Sequence, residues 1–245
     1  MMLTAILAFA VQVSAPALIS TLDGGKLKGE PTQLAWSPDG RTLFLQTSER
    51  DTTGMLRNPR YFVMSASNGK PEPVDAPPPW VAEYWTWKSN KFAPGSKTFA
   101  VEVKEDYRKA VATSSPMGGA MAKGSVAGDP GGGGTSAEDV ASHAAQTQAL
   151  HVFSLTLNGE TVGEFVNQQF LPGYTFGWSP QSLGMVAYGN QAARLALMDQ
   201  HGQKLQVDST KNVILPAWSS DGSKIAFLQR AGKNKFELYV VTVTP

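Results

Sequence analysis

One pattern recurs four times along this chain and constrains its fold more than any other feature. In the first copy an apolar run ends at Trp36, the turn sequence Ser37-Pro38-Asp39-Gly40 follows, and an alternating apolar segment comes next. Proline presets φ at the first corner of a turn, aspartate hydrogen-bonds the backbone ahead of it, and glycine adopts the positive φ that closes the turn. The alternation has the period of two expected for a strand. Each copy therefore predicts a hairpin between two strands.

The other three copies keep this pattern to different degrees. The second copy (92–101) lacks the aspartate, the third (176–187) has Gln-Ser where Asp-Gly is expected, and the fourth (217–227) is a good match. The residues that carry the pattern in these copies, to which we assign structural roles in turns, are Pro94, Gly95, Trp178, Pro180, Trp218, Asp221 and Gly222.

A second, shorter turn built on glycine lies between these copies. It recurs at Leu22–Lys26, Ser67–Lys70, Leu157–Glu160 and Gln200–Lys204. Asn-Gly and Asp-Gly are strong hairpin signals. Two kinds of hairpin therefore alternate, which predicts a unit of four antiparallel strands repeated four times. The positions equivalent to Pro38 are 56, 86 and 40 residues apart, and a period of about 40 is that of four-stranded propeller blades.

The pattern W-S-P-D-G-x-x-[LI]-x-[FL] resembles the WD40-like (PD40) repeat of TolB-like β-propellers, over essentially the whole chain after residue 17. The resemblance implies an all-β fold, a small β-propeller of about four blades with four antiparallel strands each. It also implies protein–protein interaction in the cell envelope. TolB-like proteins usually carry six blades and an extra α/β domain, neither of which this sequence contains, so a specifically TolB-like role is not implied.

The two ends of the chain complement each other. A strand within Leu18–Glu30 precedes the first copy, and Phe236–Val243 is a strand that follows the last one. We expect the N-terminal strand to complete the last blade and close the ring, which removes exposed strand edges. The alternative is an open half-ring that forms a homodimer through the free edge of Phe236–Val243.

The N-terminal segment Met1–Ala17 predicts a signal peptide. Met2–Val13 is almost wholly apolar, and small residues follow it, with cleavage preferred after Ala17. This interpretation places the domain 18–245 in the periplasm or outside the cell. The competing interpretation is that the segment forms the first β-strand of the fold.

One long insertion interrupts the second blade. Between residues 108 and 147 the repeat stops, and Ser115–Thr135 is almost entirely Gly, Ala and Ser, a composition that predicts disorder. The segment Ser136–Gln148 has the N-terminal signals of a short helix.

Elsewhere we predict a loop at Thr47–Gly54 and strands at Arg60–Ser65, Pro71–Val74 and Val81–Trp87.

Composition excludes several classes of partner. The net charge is +1, from 21 basic and 20 acidic residues that are scattered along the chain, whereas nucleic-acid binding needs clustered Lys and Arg. No apolar run is long enough to span a bilayer. The absence of cysteine excludes disulfides and thiolate metal sites.

The most unusual local feature is a group of aromatic residues. Trp80, Tyr84 and Trp85 are candidate contacts for a ligand or partner, because exposed rings stack on sugars, proline or other rings. The simpler interpretation is core packing, in which Trp85 and Trp87 share one face of a strand.

The polar residues predict no catalytic site. His143, His151 and His201 show no metal-ligand spacing. The acidic cluster Glu102, Glu105 and Asp106 is interleaved with Lys and Arg, as at a solvated strand end. No nucleophile elbow is present. We predict no metal, no cofactor and no catalytic residue.

These observations favour a non-catalytic propeller that acts as a protein-binding or scaffold module, with another envelope protein as its partner. The alternative is a small-molecule or glycan-binding, or hydrolytic, propeller with its site at the central channel.

Overall fold

The computed structural model describes residues 11–52, 55–88, 90–104, 151–167, 176–180, 183–189, 194–207, 209–232 and 234–244. The Gly-rich insertion predicted at 108–147 and the short helix predicted at its end lie outside these ranges. Within them the chain forms β1 (Gln12–Val13), β2 (Ala17–Asp23), β3 (Glu30–Trp36), β4 (Thr42–Arg50), β5 (Leu56–Ser65), β6 (Glu72–Val74), α1 (Pro79–Lys88), β7 (Phe99–Lys104), β8 (His151–Leu157), β9 (Glu160–Asn167), β10 (Phe176–Trp178), β11 (Met185–Gly189), β12 (Leu195–Asp199), β13 (Lys204–Gln206), β14 (Val213–Trp218), β15 (Lys224–Gly232) and β16 (Lys235–Thr244).

The sequence predicts an all-β fold, and the described chain is mostly β: its strands form four antiparallel sheets, and α1 is a helix. The first sheet has the order β3-β4-β5-β6, the second β7-β8-β9, and the third β10-β11-β12-β13. An isolated antiparallel bridge joins Phe92 to Ala100 of β7. The fourth sheet contains β14, β15 and β16, and both β1 and β2 pair with β16. The predicted pairing of the N-terminal strand with the C-terminal strand is thus confirmed, with Leu22 opposite Phe236.

In the first copy, the turn of the main repeat is organised by its serine as well as by its aspartate. Ser37 Oγ donates a hydrogen bond to Asp39 Oδ1 (2.5 Å) and accepts one from the backbone N–H of Thr42 (2.9 Å). Asp39 Oδ1 accepts a bond from the N–H of Arg41 (3.1 Å), and Gly40 has a φ of 65°. The predicted roles of aspartate and glycine are confirmed, whereas the role of the serine was not predicted.

The fourth copy repeats this arrangement in full. Ser219 Oγ donates to Asp221 Oδ1 (2.6 Å) and accepts from the N–H of Lys224 (2.9 Å), and Gly222 has a φ of 74°. The Ser219 hydroxyl, followed by the backbone N–H of Ser223, lowers the pKa of Asp221 below its usual value. In the third copy Ser179 Oγ accepts from the N–H of Met185 (2.8 Å), so the serine keeps its place there too.

We expect Ser219→Ala to lower the free energy of unfolding by about 1–3 kcal/mol. Ser219 is buried, and the substitution leaves the N–H of Lys224 without its acceptor at the start of a central strand. Chemical denaturation monitored by tryptophan fluorescence measures the change. The control is Ser223→Ala, because Ser223 also bonds Asp221 but leaves the Lys224 bond intact. Equal losses in the two variants would contradict this role.

Three of the four glycine-based hairpins are confirmed, and the first is wrong. Residues 22–26 do not form a hairpin, because β2 belongs to the fourth sheet and β3 to the first. The N–H of Gly24 donates to the carbonyl of Asn234 (2.7 Å), so this turn is held against the β15–β16 hairpin. β2 pairs with β16 instead, whereas β3 pairs with β4.

The loop predicted at Thr47–Gly54 is also wrong. β4 continues to Arg50, which lies opposite Leu56 on an extended β5. Polar cross-strand contacts replace apolar ones there. Arg57 Nε lies 2.6 Å from Asp51 Oδ2, and Asn58 Nδ2 donates to Glu49 Oε2 (2.8 Å). A polar sequence therefore extends the hairpin beyond the core.

The strand predicted at Val81–Trp87 is an α-helix. Pro79 is its first residue, a position where the missing N–H of proline has no cost. Val81, Tyr84 and Lys88 are its buried residues, and their spacing of three and four places them on one helical face. Trp85 and Trp87, which would share one face of a strand, lie on different sides of the helix.

The core consists of three clusters between sheets. The first joins the first and fourth sheets and α1, the second joins the second and third sheets, and the third joins the third and fourth sheets. Trp87 packs against all three clusters. In the described part of the chain, no helix has the length and apolar character needed to cross a membrane.

Candidate functional site

The C-terminal half of α1 lies where the edge strands of three sheets meet. β14 packs beside both β3 and β10, and α1 contacts β3 and β10. The hydroxyl of Tyr84 donates to the carbonyl of Trp218 on β14 (2.8 Å), and Lys88 Nζ donates to the carbonyl of Leu34 on β3 (3.0 Å). Tyr84, Trp85, Trp87 and Lys88 form the candidate site.

A glycine on the third sheet makes room for this arrangement. A Cβ atom placed on Gly177 would lie 2.6 Å from the carbonyl oxygen of Pro216 and 3.0 Å from Lys88 Cε. The backbones of β10 and β14 therefore approach each other more closely at Gly177 than a side chain allows. The stem of Lys88 passes this point to reach β3.

Lys88 is the one charged side chain among the fully buried large residues of the described chain, with 0% exposure. Burial lowers the pKa of Lys88 well below its usual value. The rings of Trp85 (4.9 Å) and Tyr84 (5.6 Å) lie near Nζ and favour the ammonium form. Burial outweighs them because none of the ion pairs found among the described residues brings a carboxylate to Lys88.

Tyr84 is held as a neutral hydroxyl in the same environment. Burial raises its pKa well above the usual value of 10.0. The hydroxyl of Tyr84 donates a hydrogen bond to a backbone carbonyl of β14, and the amine of Lys88 donates one to a backbone carbonyl of β3. The amine of Lys88 is enclosed as well, with 0% of the residue exposed. The arrangement anchors α1 to β14 and β3.

The three predicted contact residues lie on one helix but have different surroundings. Tyr84 is only 3% exposed and faces inward. Trp80 is partly buried, and its ring meets that of Phe44 edge-on at 6.4 Å. Trp85 is also partly buried and meets the ring of Tyr84 edge-on at 6.4 Å. Core packing thus accounts for Tyr84, and Trp80 and Trp85 remain the predicted partner contacts.

Two of the repeat tryptophans, Trp36 and Trp178, donate hydrogen bonds to backbone carbonyls outside their own sheets. Trp36 Nε1 donates to the carbonyl of Ala217 (2.9 Å), which joins the first sheet to the fourth. Trp178 Nε1 donates to the carbonyl of Asn90 (2.8 Å), just before the second sheet. Trp218 is fully buried, and its Nε1 has no hydrogen-bond partner among the described residues. The structural role that the sequence assigns to these positions agrees with these contacts.

The acidic and histidine residues do not converge in the described part of the chain. No group of three or more His, Cys, Asp or Glu side chains there could hold a metal ion. Glu102 instead forms an exposed ion pair with Lys91 (2.8 Å). His201 lies in an exposed turn, where its N–H donates to Asp199. Glu105, Asp106 and His143 lie outside the described residues.

Sequence reasoning missed Lys88. Lys88 follows Val81 by seven residues with Tyr84 between them, a spacing typical of one helical face, and Pro78-Pro79 just before is a helix start signal. The prediction of a strand did not take this spacing into account. No signal in the sequence shows that the amine would be buried, because lysine is almost always found with its charged end in water.

Comparison with known proteins adds no relative. No protein-family model matches the chain, and no curated protein matches it either.

Proposed function

We propose that this chain is an exported, non-catalytic β-propeller of four blades that binds a protein partner in the cell envelope. The four-fold repeat, the four antiparallel sheets and the pairing of β2 with β16 support a propeller closed between its two ends. The apolar leader Met1–Ala17 supports export. The protein is a monomer in this proposal, because β2 of its own chain occupies the edge of β16 from Lys235 to Val240.

The single observation that carries the non-catalytic function is the position of α1. Propellers that act on small molecules use residues around a central channel. Here Tyr84 and Lys88 lie where β3, β10 and β14 meet. Each of the two side chains donates a hydrogen bond to a backbone carbonyl. The surfaces that remain for recognition are the outer parts of the sheets, the loops and the exposed side of α1.

Affinity capture from the envelope fraction tests this proposal. We expect one protein to be captured in stoichiometric amount by the wild-type chain and lost with Trp80→Ala, which removes a partly exposed ring from α1. The matched control is Phe92→Ala, because Phe92 is an exposed aromatic residue away from α1 (38% exposed). Failure of the folded wild-type chain to capture any protein would overturn the proposal.

A further inference from the structure

One edge of β16 is covered by two separate strands placed end to end. β2 pairs with the first part of β16, from Lys235 to Val240. β1 pairs with its last two residues, with Val13 opposite Val243 and Gln12 opposite Thr244. Pro16 lies between the two strands and can donate no hydrogen bond. β1 is thus an independent piece that completes the edge.

The contacts of β1 are those by which an added strand is recognised. The N–H of Ser14 donates to the carbonyl of Thr242 (2.9 Å), and the N–H of Thr242 donates to Ser14 Oγ (2.9 Å). Val11 and Val13 pack against the cluster between the third and fourth sheets, which includes the buried Val241 and Val243. Backbone bonds combined with pockets for alternate side chains define β-strand addition.

Removal of the leader would uncover this edge. Cleavage after Ala17 takes away residues 11–14, while β2 keeps Leu18 opposite Tyr239. The N–H and carbonyl of Thr242 then lose their partner Ser14, and the cluster between the third and fourth sheets loses its contacts with Val11 and Val13. An open edge of this kind pairs readily with another extended chain.

We propose that the last four residues of β16, Val241–Thr244, form an acceptor site for an extended strand of a partner protein. Residues 11–14 occupy this acceptor site in the uncleaved chain. They indicate the sequence that the site accepts: two small β-branched residues two positions apart, followed by a residue whose backbone N–H can donate to Thr242. The proposal rests on the proposed function, since it is removal of the leader that opens the edge to the partner.

Peptide binding to the full chain tests the acceptor site. The probe is a fluorescein-labelled peptide with the sequence of residues 10–15, AVQVSA, followed by fluorescence polarisation. In the Val13→Asp chain the segment is expected to leave the apolar pocket, because its new carboxylate has no partner there. We expect this chain to bind the peptide at least about tenfold more tightly than the wild type, whose own segment competes at a high effective concentration.

Two matched peptides define the recognition. A peptide with aspartate in place of Val13 loses the apolar contact, and one with proline in place of Ser14 loses the N–H that Thr242 accepts. Neither should bind. Equal binding of all three peptides, or no binding of AVQVSA to the Val13→Asp chain, would overturn the proposal.

The remaining outcomes are also decisive. Loss of folding in the Val13→Asp chain, seen by circular dichroism, would make β1 an obligatory strand and overturn exchange at this edge. A dimer of that chain without peptide would assign the edge to a second copy and overturn the partner assignment. Peptide binding without any captured envelope protein would refute the proposed function and leave the acceptor site intact. Capture of an envelope protein without peptide binding would refute the acceptor site and leave the proposed function intact.

Discussion

A chain that carries Gly177→Ala is expected to unfold about 6–12 °C below the wild type. The added Cβ would lie 2.6 Å from the carbonyl oxygen of Pro216, closer than carbon and oxygen approach, and 3.0 Å from Lys88 Cε. The side chain of Lys88 can shift, but the backbone of β14 cannot move without separating two sheets. Overpacking of this kind costs about 3 kcal/mol, and each kcal/mol lowers the midpoint by about 2–4 °C in a chain of this size.

Thermal denaturation followed by circular dichroism measures this shift. The matched control is Gly232→Ala, because among the described residues a Cβ there meets only the side chain of Lys235 at 3.6 Å, an ordinary contact. We expect the control to unfold within about 2 °C of the wild type. A Gly177→Ala chain as stable as this control would show that β10 and β14 do not approach each other as the structure describes.

Replacement of Lys88 by methionine is expected to change how stability depends on pH. Burial lowers the pKa of Lys88 from its usual 10.5. Between the folded and unfolded pKa values, the unfolded chain binds a proton that the folded chain does not, so wild-type stability rises with pH. As pH falls from 10.5 towards the folded pKa, the cost of burying the amine grows, and below the folded pKa it stays constant. Methionine has a side chain of similar length and no titratable amine, so this contribution to the pH dependence is lost in the variant.

The quantity to measure is the free energy of unfolding of Lys88→Met minus that of the wild type, from urea denaturation at pH 7 to 9.5. We expect this difference to fall by up to about 1.4 kcal/mol per pH unit as pH rises. At pH 7 the variant is the more stable chain, because a buried amine without a carboxylate is replaced by an apolar group. Measurements stop at pH 9.5 because tyrosines titrate above it.

The control for this experiment is Lys91→Met. Lys91 is exposed and paired with Glu102, so its replacement should leave the pH dependence unchanged within about 0.5 kcal/mol. A Lys88→Met difference that stays flat from pH 7 to 9.5 would mean that the Leu34 carbonyl and the two aromatic rings keep the ammonium form in the folded chain.

The repeated turns show how far local sequence could predict this fold. Asp39, Gly40 and Gly222 act through bonds within four residues of themselves, so their roles follow from residue type alone. The same reasoning failed at residues 22–26. Two glycines favour a turn there, but which strand β2 pairs with depends on β16, more than two hundred residues away.

The aromatic segment before the second sheet shows the opposite limit. Its rings favour a strand by propensity, yet Pro79 and the spacing of Val81, Tyr84 and Lys88 produce a helix with one buried face. Propensity over so few residues is weak compared with the burial that tertiary contacts provide. The candidate site therefore contains the predicted aromatic residues in a geometry that the sequence did not predict.

The sequence by itself determined the four-fold repeat, the mostly-β fold and the hairpins around Pro38, Gly69, Gly159 and Gly202, because turn chemistry is local and each glycine or proline restricts its own backbone. Only the tertiary structure decided that α1 packs where the edge strands β3, β10 and β14 meet, that Lys88 is buried there, and that residues 12–14 cover the end of β16. These features depend on which surfaces meet after the sheets have formed, and no local pattern carries that information.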